Sequence, residues 1–204
     1  MHMTRAMTSH FARLALVALV ALGLLLTRTA GTIAAADAGP ETFMKQALQA
    51  YQHGAFDKAL GAWKQPAQGY EQQGKPMEQS RALVAAAQAS EAMGQVTQAL
   101  QQLELALALA QKGQDKPWTA TVQSSLGHAY LAGRQPDAAM SHLTQAMETV
   151  PQDATAVIAG IHNNLGLTQV AQKKLPEALA SFTDAAKNAE AAGDRPLAGI
   201  TVRS

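Results

Sequence analysis

The chain has 204 residues and no cysteine, carries a net charge of +1, and is 48% hydrophobic with only 4% aromatic residues. The absence of cysteine excludes disulfides, thiolate metal sites and a cysteine nucleophile within these residues, and the excess of alanine and leucine, which lose little side-chain freedom in a helix, points to an all-α protein. Beyond residue 36 there are 13 basic and 15 acidic residues, a balance of −2 that offers no long-range attraction to nucleic acid or an anionic lipid surface.

Residues 1–36 read as an export signal. Arg5 and Arg13 precede an unbroken apolar run from Leu14 to Leu26. That run is shorter than the roughly 20 residues a membrane-crossing helix needs and fits the about 7–15 of a signal-peptide core. Small residues at Ala34, Ala35 and Ala36 predict cleavage after Ala36, with the position after Ala38 as second choice. The expected location is periplasmic or secreted from a bacterium. The alternative is an uncleaved segment that anchors the chain to the inner membrane.

Residues 37–204 are self-similar. The stretches 54–63, 94–103, 133–143 and 173–182 place a small residue at Ala59, Ala99, Ala139 and Ala178, spaced 40, 40 and 39 residues apart. A large apolar residue follows four positions later, at Trp63, Leu103, Leu143 and Phe182. Three positions further on come Pro66, Ala106, Ala146 and Ala185. Upstream, the pentads Ser125-Leu126-Gly127-His128-Ala129 and Asn164-Leu165-Gly166-Leu167-Thr168 match each other, with Ala47 and Ala87 in the glycine position of the first two copies. Small residues at these sites let two helices approach to about 8–10 Å, and the large residue one turn later fills the space between them. A lone hairpin cannot bury its apolar face, so such units must stack.

In chain order the pattern predicts helices at 41–53 and 56–72, 77–93 and 96–111, 118–132 and 137–149, and 154–172 and 176–192, with a ninth beginning in 195–204. Proline or glycine punctuates each boundary. Pro66 lies inside the second helix, where it removes a hydrogen bond and crowds the preceding turn, so a kink or break is expected there.

This pattern resembles the tetratricopeptide repeat over about residues 40–192, with repeats near 40–73, 80–113, 120–153 and 159–192. The third copy carries the family's Leu126, Gly127, Tyr130, Ala139, Leu143 and Ala146. The period near 40 is similar to that of kinesin light chains and of bacterial repeat proteins that precede a caspase-like CHAT peptidase domain, and Gly193-Asp194-Arg195-Pro196 looks like their inter-repeat turns. The resemblance implies an all-α, tetratricopeptide-like α-solenoid of antiparallel helix pairs in a right-handed superhelix. It also implies a groove lined mainly by the first helix of each pair.

Carried over by position, the groove residues are Met44, Leu48 and Tyr51 in the first copy. In the second they are Arg81, Val84, Gln88 and Glu91; in the third, Thr121, Ser124, His128 and Leu131; in the fourth, Asn163, Leu167 and Val170. This mixed lining suits a peptide or protein partner. The positions that family members use to grip a chaperone's C-terminal carboxylate carry Val84, Gln88, Ser124, His128, Asn163 and Leu167 here, so no such activity is expected.

No catalytic motif is present, and neither a metal nor a cofactor is expected. His128 and His142 share a hairpin but have no carboxylate placed beside them to complete a metal site. Trp63 reads as core, and Trp118 as packing against the preceding pair. The leading expectation is a non-catalytic interaction scaffold in the bacterial envelope. The alternative is the regulatory repeat region of a larger CHAT-type peptidase. Partners other than protein or peptide are not expected, apart from the membrane if the leader stays attached. Self-association through the C-terminal helix is a further possibility.

Overall fold

The structure, a computed structural model, describes residues 40–193. The leader and the start of the ninth helix lie outside the described residues. Eight helices follow one another: α1 Pro40–Gln52, α2 Phe56–Gln72, α3 Pro76–Ala92, α4 Val96–Lys112, α5 Lys116–Ala132, α6 Pro136–Thr149, α7 Thr155–Ala171 and α8 Leu175–Ala191. Every end falls within two residues of its expected position. None of these helices is long and apolar enough to cross a membrane.

The period is built from one half-unit. α2, α3, α4 and α5 each have 17 residues, and three-residue connectors separate them. α6 has only 14 residues, and the connector after it spans residues 150–154, which accounts for the last spacing being 39 instead of 40. Pro151 is the cause. It disfavours helical backbone at the residue before it, and Val150 is extended, with φ −67° and ψ 132°.

The three-residue connectors share one geometry. Gly54, Gly74 and Gly94 stand in the left-handed region, as do Gln114, Arg134 and Lys173. The next backbone N–H often reaches back five residues, as in Ala55 to Ala50 (2.9 Å), Gln95 to Ser90 (2.8 Å) and Lys174 to Gln169 (2.8 Å). These bonds satisfy carbonyls that the helix end leaves free. Such short connectors force neighbouring helices antiparallel.

Each helix packs on the next, and α5 also touches α3 and α7. The interlock inside each hairpin is the predicted one. Ala59, Ala99 and Ala139 are wholly buried, and Leu103, Leu143 and Trp63 are buried beside them. Gly127 and Gly166 are packing glycines. A methyl on Gly127 would sit 2.6 Å from Leu143 Cγ, and one on Gly166 would sit 2.6 Å from Phe182 Cε1.

Pro66 does not break α2, which runs continuously through it. The proline ring occupies the repeat's second small-residue site and is fully buried there. Burial of the ring and packing of α2 against α1 and α3 offset the lost hydrogen bond.

One rung of each hairpin varies in chemistry while keeping its place. Position pairs 50/62, 90/102, 130/142 and 169/181 are equivalent. Ala50 and Ala62 pack against the first cluster. Ser90 donates to Gln102 Oε1 at 3.0 Å, Tyr130 stacks on His142 with ring centroids 5.1 Å apart, and Ser181 donates to Gln169 Oε1 at 2.7 Å. Trp118 packs on the preceding pair as expected. Its indole N–H donates to Ser80 (2.9 Å), whose hydroxyl donates to the Ala106 carbonyl (2.8 Å), tying α3, α4 and α5 together.

Two stability predictions follow from these contacts. Gly127→Ala should lower stability by about 1–2 kcal/mol, because overpacking against a wholly buried leucine outweighs the better helix propensity. Gly166→Ala should cost less, since half-buried Phe182 has room to turn. Urea denaturation followed by circular dichroism ranks the two, and an unchanged midpoint for Gly127→Ala would contradict the interlock. Conversely, glycine at Gln114, Arg134 or Lys173 should stabilise by up to about 1 kcal/mol by relieving left-handed backbone strain, seen as a higher melting temperature.

Candidate functional site: the cleft along the odd-numbered helices

A cleft of about 560 Å³ crosses the first helix of all four hairpins. It is lined by Tyr51 from α1, by Gln88, Glu91 and Ala92 from α3, by Ser125, His128 and Ala132 from α5, and by Asn164 from α7. A second cleft of about 330 Å³ continues between α5 and α7 and shares Ser125 and Asn164 with the first. Its other walls are Thr121, Ser124, Ala156, Val157 and Gly160.

Polar bonds tie the odd-numbered helices together along this surface. His128 Nδ1 and Glu91 Oε2 are 2.8 Å apart and join α5 to α3. Asn164 Nδ2 donates to Ser124 Oγ at 3.0 Å and joins α7 to α5. Tyr51 is anchored from behind, with its ring 5.1 Å from Phe56 edge-on and 5.5 Å from Trp63. Arg81 lies over the Trp118 ring, 5.6 Å from its centroid, so its guanidinium is already engaged.

Tyr51, Gln88, Glu91 and His128 line the first cleft together. Leu48, Leu167 and Val170 are exposed, at 51%, 40% and 46%. Leu131 and Met44 are half-buried, and Met44 packs against the first core cluster. Thr121 lines the second cleft.

One row of the expected lining differs from the observed one. Val84 is a core residue, buried with Leu103 and Leu126. Ser124 is buried and turned to Asn164, and Asn163 is half-buried outside the cleft lining. The next position along lines the clefts in the third and fourth copies, as Ser125 and Asn164, while Ala85 packs against the first core cluster. The signal for this was in the sequence. Positions 84, 124 and 163 lie three residues before Ala87, Gly127 and Gly166, and residues three apart share a helix face. Val84 therefore turns with Ala87 into the core, and Ser124 is left as a buried part of the second cleft's wall.

The histidines divide by environment. The hydrogen bond that His128 donates to the Glu91 carboxylate raises its pKa above the ordinary 6.5, against an opposing effect of burial. Burial lowers the pKa of His142 and of His162, with Glu104 and Asp184 respectively acting weakly the other way. His128 and His142 are engaged with different neighbours, Glu91 and Tyr130. Among the described residues no group of three or more histidines and carboxylates could hold a metal ion.

The raised His128 pKa fixes the sign of a pH effect. The Glu91–His128 contact contributes its full stability below pH 6.5 and loses it as pH rises through the folded-state value. For a pair this exposed the contribution is about 0.2–1 kcal/mol. His142 and His162 act in the opposite sense, since charging them at low pH costs stability, so the readout must be residue-specific. NMR titration of the His128 ring should give a pKa above 6.5 that falls toward 6.5 in Glu91→Gln. An identical titration in the two proteins would exclude the contact.

The tetratricopeptide repeat family pattern matches residues 78–152. No curated protein matches the sequence. Among solved structures, BtubC (BKLC) from P. vanneervenii is similar at 21% identity and a TM-score of 0.57, over 80% of this chain and 76% of that one. The apo form of RapI is similar at 15% identity and a TM-score of 0.68, over 79% of this chain; the match spans 45% of RapI, less than half its length. The nearly identical TPR-like repeats of a putative kinesin light chain from Podosopora anserina match at 19% identity and a TM-score of 0.52, over 80% and 91% of the two chains. At these identities the likeness concerns the fold. Sequence and architecture agree: residues 78–152 carry the tetratricopeptide repeat pattern, and the stacked helical hairpins of this chain share the fold of such repeat proteins.

Proposed function

We propose that this chain is a non-catalytic scaffold that holds a peptide or protein segment in the cleft along α1, α3, α5 and α7. The observation that carries this reading is the continuity of that cleft across four hairpins, to which each odd-numbered helix contributes one or more residues. Gln88, Ser125 and Asn164 bring amide and hydroxyl groups to its surface, a chemistry matched to the hydrogen-bonding groups of a peptide backbone. The tetratricopeptide repeats support protein interaction in general.

We further propose that the chain works in the bacterial envelope. The support is the basic, apolar and small-residue succession of residues 1–36. A second reading, in which the array belongs to a longer repeat protein such as a CHAT-type peptidase, is favoured by α8. Leu175 and Leu179 are 63% and 68% exposed there, at positions equivalent to Val96 and Leu100. Leu100 packs into the core that α4 shares with α5, and Val96 lies against the turn at Gly133. A further hairpin would cover the two leucines in the same way. Reading the gene downstream of Ser204 decides between the two.

Selection of a random 12-residue peptide library on phage by the immobilised full chain should enrich binders. The double variant Gln88→Ala/Asn164→Ala should weaken the best of them about tenfold, through loss of two partly buried hydrogen bonds, with helical content unchanged. Equal affinity for both proteins, by isothermal titration calorimetry, would remove the cleft as the binding site. For the envelope, N-terminal sequencing of the expressed protein from the periplasmic fraction should begin at Asp37 or Gly39. Recovery only from the cytosol with residues 1–36 intact would refute export.

A further inference from the structure

The inner face is not chemically uniform along its length. Residues 48, 88, 128 and 167 occupy one register row on α1, α3, α5 and α7, and read Leu, Gln, His, Leu. The adjoining row at 51, 91, 131 and 170 reads Tyr, Glu, Leu, Val. Among the described residues, six large apolar side chains are substantially exposed, and three of them, Leu48, Leu167 and Val170, lie in these two rows. They sit at the two ends of the face, with the polar groups between them. Isolated exposed leucines need no explanation, but here Leu167 and Val170 lie one turn apart on α7, and Leu48 lies one turn from Tyr51 of the cleft on α1.

The middle carries no spare charge while the His128 imidazole is protonated. Glu91 and His128 are 2.8 Å apart and neutralise one another when the imidazole is protonated. A charged ligand group placed over them would lose its hydration without gaining an opposite charge. Gln88 and the Oδ1 of Asn164, whose Nδ2 is held by Ser124, offer neutral hydrogen-bonding groups to the same space. These suit an extended backbone, whose N–H and C=O groups are free. A helix satisfies its own and would leave these amides without partners.

Resting on the reading of the cleft as a peptide site, we infer the class of its ligand. It is an extended segment with one apolar side chain on Leu48 and Tyr51, a second on Leu167 and Val170, and uncharged residues between. Three helix-to-helix steps of about 8–10 Å separate the two ends. At about 3.3–3.6 Å per residue, the two apolar anchors stand about seven to nine residues apart in the ligand.

The peptides enriched by the full chain test this directly. Their sequences should share two large apolar residues about seven to nine positions apart, with the positions between depleted of Lys, Arg, Asp and Glu. Leu48→Ser and Leu167→Ser should each weaken the best peptide by about tenfold or more through loss of buried apolar contact. Leu105→Ser, equally exposed but on α4 away from the cleft, should leave affinity unchanged. All three should melt with the parent chain. Binders with a charged centre, a single apolar residue or helical three-four spacing would overturn the ligand class while leaving the cleft intact as a site. So would unchanged affinity in the two inner-face variants. Failure to enrich any peptide above the uncoated support would overturn the cleft reading itself, and this inference with it.

Discussion

Every other feature of this molecule depends on how closely the two helices of a hairpin approach. Where Ala59, Ala99, Ala139 and Ala178 face the partner helix, there is almost no side chain between the backbones. Trp63, Leu103, Leu143 and Phe182 then fill the wedge that remains. At Gly127 and Gly166 even a methyl group would collide with the opposing side chain. This contact fixes the rotation of each helix about its own axis. Rotation in turn decides which row of the first helix faces its hairpin partner and which row is left for the cleft.

The same constraint explains why a repeated sequence yields a continuous surface. Connectors of three residues with one left-handed position turn the chain back antiparallel each time. The odd-numbered helices therefore come to lie side by side, close enough for Glu91 to meet His128 and for Asn164 to meet Ser124. The shorter α6 and its longer connector are the one departure. Pro151 produces it, yet the positions that follow regain register, since Gly166 meets Phe182 as Gly127 meets Leu143. The variable rung of each hairpin shows where the constraint ends. Alanines, a serine–glutamine pair and a stacked tyrosine–histidine pair all fit one site, because the neighbouring small–large contact has already set the geometry.

Much of this was legible in the sequence. The helices, their turns, the buried alanines and the core role of Trp63 follow from spacing and residue size alone. Pro66 was legible as a disturbance but not in its outcome, because whether a helix survives a proline depends on what buries the ring. The cleft was legible only to within one residue. Gln88, Glu91 and His128 follow from the resemblance, while Val84, three residues before Ala87, belongs to the core and Ser124 is a buried wall of the second cleft. Ser125 and Asn164, one position further along, were missed. The contact between Glu91 and His128, 37 residues apart, could not be read from local pattern, since it depends on the angle between successive hairpins.

The central claim is that the interlock assigns one face of each odd-numbered helix to ligand binding. Backbone amide NMR shifts of the full chain, recorded while a selected peptide is added, test it most directly. The account predicts that the largest changes cluster at Gln88, Ser125, His128 and Asn164 and extend to Leu48 and Leu167. Changes centred on α2, α4, α6 or α8 would contradict it.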